Sequence, residues 1–166
     1  MVQKEDIENL FEYRDGQLIW RYNPNSTKTW NTRFAGKPAG SIRKDRYVAV
    51  QFKLGQRRYV TKLHRLVWLL FTGSLPSKDL DHIDRNPLNN KIENLRDVSH
   101  QVNSFNRGPN KNTTSGVKGV SWNKKNKVWT AHIFFSGKKI HLGSFKEIDQ
   151  AVKARLDKEE ELGINI

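Results

Sequence analysis

Four polar residues in one short segment have the types and the order that hydrolysis of a phosphodiester would require. Asp81 and His82 are adjacent, Asn94 follows them, and Asn103 lies further along the same segment. Such hydrolysis needs an activated water molecule and a divalent cation that takes up the charge building on the phosphate. A neutral imidazole can accept a proton from water near pH 7, and carboxylate and amide oxygens suit Mg²⁺ or a similar hard ion. The segment therefore holds a candidate base and candidate metal ligands.

The residues around these side chains predict a β-β-α unit. The pattern predicts a strand for LDHID, a turn for RNPLNNK, a second strand for IENLRDVS and one or two helical turns for HQVNSFNR. Adjacent residues of a regular strand point to opposite faces. Convergence of Asp81 and His82 on one phosphate therefore predicts a bend or a strand end at this pair.

This unit resembles the ββα-metal finger of HNH homing endonucleases, especially of the phage and intron-encoded kind, over about residues 60–107. The resemblance implies that His82 is the general base and that Asp81 and Asn103 bind one divalent ion. Mg²⁺ is the expected ion, with Mn²⁺ or another divalent ion as the alternative. The resemblance also implies a catalytic-site role for Asn94, whose side-chain amide ties the long turn into shape. The last position of the family motif is usually His, and Asn103 stands there in this chain.

Four neighbouring polar residues receive no catalytic role from the sequence. The stretch LHRLVWLLFTG, residues 63–73, is apolar almost all round and predicts a buried helix that ends at its glycine. His64 is therefore interpreted as a core residue of this helix. His100 is interpreted as part of a solvated helix start, and Asp84 and Asn106 have no assigned function.

The region before this helix predicts a small, largely antiparallel sheet with a helix. Residues 5–13 are expected to form a short amphipathic helix, followed by a turn at Asp15-Gly16 and a strand. Glycines separate the strand-like runs SIRKDRYVAVQF and RRYVTKL. In the first run, Tyr47, Ala49 and Gln51 alternate with Val48, Val50 and Phe52. We expect this region to contact DNA beside the finger.

The residues after the finger predict a polar linker and then a basic domain. Almost nothing apolar occurs in RGPNKNTTSG, residues 107–116, which is typical of a linker. Three strand signals follow in VKGVSW, KVWTAHIFF and KKIHLGSF, and the helix EIDQAVKARLDKEEEL comes last. From Arg107 to Lys146 there are nine Lys or Arg residues and no Asp or Glu, which predicts contact with phosphate. Trp122 and Trp129 are interpreted as packing of the small sheet.

This order of three strands and a helix, with SGVKGVSWNKKNKVWTAHIFFSGKKIHLGSF, resembles the DNA-binding domain of plant ethylene-response factors, whose sheet enters the major groove. The resemblance implies one set of residues that faces DNA and a set of lysines that contacts phosphates. The residues expected to face DNA are Lys118, Ser121, Asn123, His132, Phe134, Lys139 and His141. The lysines expected on phosphates are Lys124, Lys125, Lys127 and Lys138. Several arginines of that family are replaced here, for example by Ser121 and Phe134, so the resemblance implies a grip on the DNA backbone more than base-specific contacts.

Composition limits the class of protein. The 166 residues include 30 Lys and Arg, 17 Asp and Glu and no Cys, with a formal net charge of +13. This charge favours a nucleic acid as partner, and the lack of Cys excludes disulfides, Cys-ligated zinc and Cys nucleophiles. No stretch of the sequence approaches the roughly 20 apolar residues of a membrane span, and MVQKEDIENL is acidic where a signal peptide is basic. We expect a cytoplasmic protein, in the cytoplasm of a bacterial host if a phage encodes it.

These observations predict an α+β protein in four segments. Residues 1–76 form an N-terminal β-rich region, 77–107 the catalytic finger, 108–114 the linker, and 115–166 a three-stranded antiparallel sheet packed on one helix. The predicted function is metal-dependent hydrolysis of double-stranded DNA by a site-specific phage homing endonuclease. It is expected to act as a monomer, without a membrane or a small-molecule cofactor. Two alternatives stay open: a catalytically inactive, sequence-specific DNA-binding regulator, and an RNA-binding protein, because net charge does not distinguish RNA from DNA.

Overall fold

The chain forms two compact units, Met1–Val98 and Ser99–Ile166. The computed structural model describes residues 2–109 and 113–164. The boundary between the units falls inside segment 77–107, which the sequence predicts as one finger. Residues 110–112, in the predicted linker, lie outside the described residues. The division into four segments stays a prediction.

The described part of the first unit contains three α-helices and seven strands. In chain order they are α1 Lys4–Leu10, β1 Phe11–Arg14, β2 Gln17–Trp20, α2 Lys28–Phe34, β3 Ser41–Ile42, β4 Val48–Leu54, β5 Arg57–Lys62, α3 Leu63–Thr72, β6 Asp79–His82 and β7 Leu95–Val98. A short 3-10 turn, Ile92–Asn94, precedes β7. The strands form three antiparallel sheets, β1–β2, β3–β4–β5 and β6–β7.

The N-terminal helix is shorter than the sequence predicts. The expected helix over residues 5–13 is wrong at its C-terminal end, because β1 pairs with β2 as a hairpin from Phe11 onward. Phe11 is 1% exposed and its ring lies 4.5 Å from that of Trp20, so packing of a cross-strand aromatic pair favours the strand. The predicted turn at Asp15-Gly16 is confirmed, with φ angles of 46° and 84°, as a two-residue hairpin turn requires.

The predicted buried helix is confirmed as α3. Its apolar residues that are at most 4% exposed are Leu63, Leu66, Val67 and Leu69. Gly73 ends the helix in the left-handed conformation, with φ 75°, and its N–H donates to the carbonyl of Leu69. The same core includes buried Leu95 and half-buried Leu80 of the β6–β7 hairpin. The N-terminal sheet and the hairpin of the predicted finger therefore share one hydrophobic core.

The β6–β7 hairpin is regular through the residues of the predicted site. Asp81 pairs with Arg96, and His82 pairs with Leu95, in antiparallel register. The strand end expected at Asp81 and His82 is confirmed, because β6 ends at His82, although pairing with β7 continues through both residues.

The second unit begins with a short helix and continues with a sheet and a long helix. Its elements are α4 His100–Asn106, β8 Val120–Asn123, β9 Val128–Phe135, β10 Lys138–Phe145 and α5 Ile148–Glu161. The three strands form an antiparallel sheet in the order β10–β9–β8, and α5 packs on it through a core of Val120, Ala131 and Ala151. Trp129 packs against this core, as the sequence predicts, whereas Trp122, for which packing is also predicted, is 39% exposed. The predicted three-stranded sheet with one helix is confirmed.

Arg155 joins α5 to the middle strand of this sheet. The residue is 2% exposed. Its Nη1 donates to the carbonyl of His132 at 3.0 Å, and its Nη2 donates to Glu159 at 2.6 Å. A buried guanidinium is stable only when such partners replace water. These contacts connect the helix to β9.

The described chain has the α+β class that the sequence predicts. It contains five α-helices and several small antiparallel sheets. Within residues 2–109 and 113–164, every helix is too short or too polar to cross a membrane.

Candidate active site

His82 lies in a cluster of rings at the end of β6. Its ring centroid is 5.0 Å from that of His64 in α3 and 5.9 Å from that of Tyr47, just before β4. The planes of the two imidazoles meet at 82°, which is the edge-to-face arrangement that aromatic rings prefer. His82 is 4% exposed. The imidazole that the sequence predicts as the base is therefore held in one position by its neighbours.

Asn90 determines which nitrogen of His82 carries the proton. The Asn90 Oδ1 lies 3.1 Å from Nε2 of His82, and the Asn90 Nδ2 donates to the carbonyl of Leu88 at 3.0 Å. The second bond orients the amide so that its oxygen, an acceptor, faces the imidazole. His82 must then donate from Nε2, and the neutral ring keeps its lone pair on Nδ1. Nδ1 is therefore the nitrogen that can accept a proton.

The hairpin turn at Asp15-Gly16 supports the backbone at Asn90. A Cβ on Gly16 would lie 2.9 Å from the backbone nitrogen of Lys91 and 3.2 Å from the carbonyl carbon of Asn90. The Lys91 Nζ also forms an ion pair with Asp15 at 2.7 Å. Only a residue without a side chain permits this approach at φ 84°. The β1–β2 turn thus packs directly against the residue that orients His82.

Asn94 ties the long turn together, as the resemblance implies. Its Oδ1 accepts from the N–H of Asp84 at 3.0 Å, and its Nδ2 donates to the Asp84 carboxylate at 2.9 Å and to the carbonyl of Asn89 at 2.8 Å. Burial alone would raise the pKa of Asp84, but hydrogen bonds from Asn89, Asn86 and Asn94 lower it. Asn94 therefore shapes the turn, while Asn90 contacts the imidazole. A catalytic role for Asn94 stays a prediction.

Asp81 forms an ion pair with Arg96, its partner across the hairpin. Its Oδ2 is 3.0 Å from Nη2 and 3.1 Å from Nε of Arg96, and Asp81 is 7% exposed. Within the residues that the structure describes, no group of three or more His, Cys, Asp or Glu side chains is arranged to hold a metal ion. The predicted donor set of one carboxylate and one amide oxygen still fits a hard ion such as Mg²⁺, which keeps several waters and takes substrate oxygens as ligands.

Asn103, the second predicted metal ligand, lies in α4 of the second unit. Ser99 caps this helix, because its side chain accepts from the N–H of Val102 at 3.3 Å. Asn103 is half-buried, and its backbone N–H donates to the carbonyl of Ser99 at 3.0 Å. The sharing of one ion by Asp81 and Asn103 stays a prediction.

The outward residues predicted on the C-terminal sheet share one face. The register pairs His132 with His141 and Phe134 with Lys139, and Ser121 extends the same face from β8. Phe134 is 59% exposed. Burial, and then the nearby charge of Lys139, lower the pKa of His132, so lysines supply the positive charge of this face near neutral pH.

Two of the predicted DNA contacts have partners within the second unit. The Lys118 ammonium donates to the carbonyl of Ser104. The Asn123 Oδ1 accepts from the backbone N–H groups of Lys125 and Asn126 at 3.1 and 3.2 Å, and so shapes the turn between β8 and β9. The predicted phosphate-contacting lysines are all exposed at two turns, and they are Lys124, Lys125, Lys127 and Lys138. DNA contact by this surface stays a prediction.

Three residues that contact His82 carry no functional signal that a local sequence pattern reveals, namely Asn90, His64 and Tyr47. The turn contains three asparagines that a local pattern does not distinguish, and in the structure Asn90, which is 3% exposed, reaches the imidazole. For His64, the available signal is a titratable residue in a helix that is otherwise apolar almost all round. The structure brings it beside His82 instead of leaving it among apolar side chains.

Comparison with known proteins finds a matching family model and similar viral proteins. The family model described as HNH endonuclease matches residues 61–105. Protein 3.8 of Escherichia phage T7 is 38% identical over 89 residues, which are 53% of this chain and 69% of that protein. An uncharacterized HNH endonuclease, L560, of Acanthamoeba polyphaga mimivirus is 44% identical over 73 residues, which are 43% of this chain and 35% of that protein.

Among solved structures, one described as DNA binding and cleavage by the HNH homing endonuclease I-HmuI matches with a TM-score of 0.41 and 30% identity. The match covers 55% of this chain and 47% of that chain. The alignment thus spans about two thirds of the T7 protein, about a third of the mimivirus protein and under half of I-HmuI. The chain belongs to the family of phage T7 Protein 3.8, and it carries an HNH endonuclease domain over residues 61–105.

Proposed function

We propose that this chain is a divalent-metal-dependent DNA endonuclease, and more specifically a site-specific homing endonuclease encoded by a phage. One observation carries the proposal. The segment that matches the HNH endonuclease family contains His82, and Asn90 holds this imidazole with its proton on Nε2. A positioned, neutral imidazole is the group that activation of water near neutral pH requires.

In the proposed reaction, Nδ1 of His82 accepts a proton from the water that attacks the phosphorus, while Asn90 keeps Nε2–H aligned. The P–O bond to the departing nucleotide breaks, and its oxygen takes a proton from solvent water. A divalent ion bound by Asp81 and Asn103 would offset the charge that develops on the phosphate. Mg²⁺ is the expected ion, and Mn²⁺ is the alternative. Asp81 must then exchange its contact with Arg96 for the ion. Because His82 is 4% exposed, DNA binding also has to open its surroundings before a phosphate can reach the ring.

The N-terminal sheet supports DNA as substrate. Residues 48–62 contain no Asp or Glu, and the register places Lys53 opposite Arg58 and Lys62 opposite Ala49 on one face of β4–β5. Lys62 ends this basic face, with its Nζ 3.5 Å from the ring centroid of Tyr47. Because Tyr47 also contacts His82, the positive face leads to the proposed base. A phosphate backbone is the ligand that such a face attracts.

The C-terminal sheet is proposed to bind the DNA backbone. If its lysines and the N-terminal face together neutralise about six phosphates, affinity for duplex DNA falls by orders of magnitude between about 50 and 200 mM salt. Replacing the three lysines of the β8–β9 turn with glutamine should reduce the slope of log affinity against log salt by roughly three. These lysines are Lys124, Lys125 and Lys127. An unchanged slope contradicts the proposed role of this turn.

The test of cleavage uses supercoiled plasmid with Mg²⁺ or Mn²⁺, followed by gel electrophoresis. Wild type should convert the plasmid to nicked or linear forms, and a chelator should stop the reaction. His82→Ala should be inactive while it still binds DNA. His100→Ala, which changes an exposed histidine of the same segment, should cut as wild type does.

Other outcomes identify the alternative functions. Binding without cutting, by wild type and His82→Ala alike on a target recovered from a random DNA library, means a DNA-binding regulator. Preference for structured RNA over duplex DNA in competition means an RNA-binding protein. The proposed nuclease acts as a monomer in the cytoplasm of a bacterial host, where its DNA substrate is present.

A further inference from the structure

His64 is a buried imidazole beside the proposed base. It occupies the second position of α3 and is 5% exposed. Its ring centroid lies 5.0 Å from that of His82 and 5.3 Å from that of Tyr47. The predicted core position of His64 is confirmed by its burial, and the structure also places its ring in contact with that of His82.

The contacts of His64 are contacts between rings. Within residues 2–109 and 113–164, its ring nitrogens make no hydrogen bond to a protein group. Both nitrogens retain contact with solvent, whereas a phenyl ring packed edge to face against His82 would offer no N–H there. Histidine at this position therefore offers a donor and an acceptor to a partner that does not come from the protein.

The surroundings of His64 also keep it uncharged. Burial is the main cause that lowers its pKa to about 3, and electrostatic interactions with His82, Lys62 and Arg65 act in the same direction. A neutral imidazole has one N–H donor and one lone pair. At the pH at which His82 could act as a base, His64 is a fixed neutral donor.

We propose that His64 is a second catalytic imidazole, which in the DNA complex donates its N–H to an oxygen of the phosphate on which His82 acts. The inference rests on the proposed nuclease function. The two rings pack against each other, so a phosphate that approaches Nδ1 of His82 through a water molecule also comes within reach of the neighbouring ring. Phosphate oxygens are acceptors, and a preorganised neutral donor stabilises the charge that builds on them without a change of protonation.

The first test compares variants of His64 on a target duplex recovered by selection of cleaved sites from a random library. His64→Phe keeps a ring and removes the donor, and we expect its single-turnover cleavage rate to fall about a hundredfold while its DNA affinity in the presence of a chelator stays that of wild type. His64→Asn keeps an N–H donor near the position of Nδ1, and His64→Gln keeps one near the position of Nε2. At least one of them should cut about tenfold faster than His64→Phe.

Leu69→Val is the control for loss of packing. Leu69 is a buried residue of the same helix, 2% exposed, and lies outside the proposed catalytic and binding groups. This variant should have a lower melting temperature and the cleavage rate of wild type. If Leu69→Val loses as much rate as His64→Phe at a similar melting temperature, His64 acts only through packing and the proposal is overturned.

The second test locates the contact. A phosphorothioate at the scissile phosphate replaces one oxygen by sulfur, a poorer acceptor, in each of two diastereomers. If His64 donates to that oxygen, one diastereomer should slow wild type more than it slows His64→Phe. Equal slowing of both proteins by both diastereomers overturns the contact.

The failure of this inference is distinguishable from that of the proposed function. If wild type does not cut any DNA, the proposed function fails and the role of His64 fails with it. If wild type cuts and His64→Phe cuts at the same rate, only the role of His64 is overturned.

Discussion

Lowering the pH from about 7 to about 5 is expected to destabilise the unit Met1–Val98 through His64. In the unfolded chain this imidazole takes up a proton around its ordinary pKa of 6.5, but in the folded protein burial and electrostatic interactions with His82, Lys62 and Arg65 lower its pKa to about 3. The unfolded state therefore binds more protons between these two values. Stability is complete above the unfolded pKa, falls as the pH drops below 6.5, and stops falling below about 3.

The size of this effect follows from linkage. At pH 5 the unfolded imidazole is almost fully protonated and the folded one is neutral, so the unfolded state gains about 2 kcal/mol relative to pH 7. For a unit of about a hundred residues this loss lowers the melting temperature by roughly 10 °C. Urea titrations of wild type and His64→Phe at both pH values, followed by tryptophan fluorescence, measure the effect. Wild type should lose about 2 kcal/mol more than His64→Phe over this interval. Equal losses would refute the argument, because they would mean that His64 has the same pKa in both states.

Three further results are expected. Gly16→Ala should lower the free energy of unfolding by at least about 1 kcal/mol more than Gly36→Ala does. Both residues have left-handed φ angles, 84° and 76°, but of the two only Gly16 would place a Cβ 2.9 Å from a backbone nitrogen. Equal losses in urea denaturation contradict this. Asn90→Ala should lower the cleavage rate at least about tenfold with unchanged DNA affinity, and a wild-type rate would exclude its role in orienting the base. Arg155→Met should destabilise the C-terminal unit by about 1–3 kcal/mol in thermal denaturation, whereas Lys153→Met, which removes an exposed ion pair of the same helix, should cost less than about 1 kcal/mol.

Local patterns predict most of the elements correctly. The alternation of side chains in β9, the apolar run of α3 and the Asp15-Gly16 turn each depend on residues close in sequence, and each is found in the structure. The helix expected over residues 5–13 shows the limit of this reasoning. Its amphipathic spacing is compatible with a helix, but Phe11 pairs with Trp20 across a turn, and that pairing decides the conformation.

The sequence by itself determined the HNH segment, the α+β class and the basic character of residues 107–146, because these properties follow from residue type and spacing. Only the tertiary structure decided which side chains meet. The pairing of β6 with β7 places Asp81 beside Arg96, the folded turn brings Asn90 rather than Asn94 to His82, and the shared core brings α3, with His64, against β6. Each of these contacts joins residues distant along the chain, so it depends on strand register and packing, which no local pattern contains.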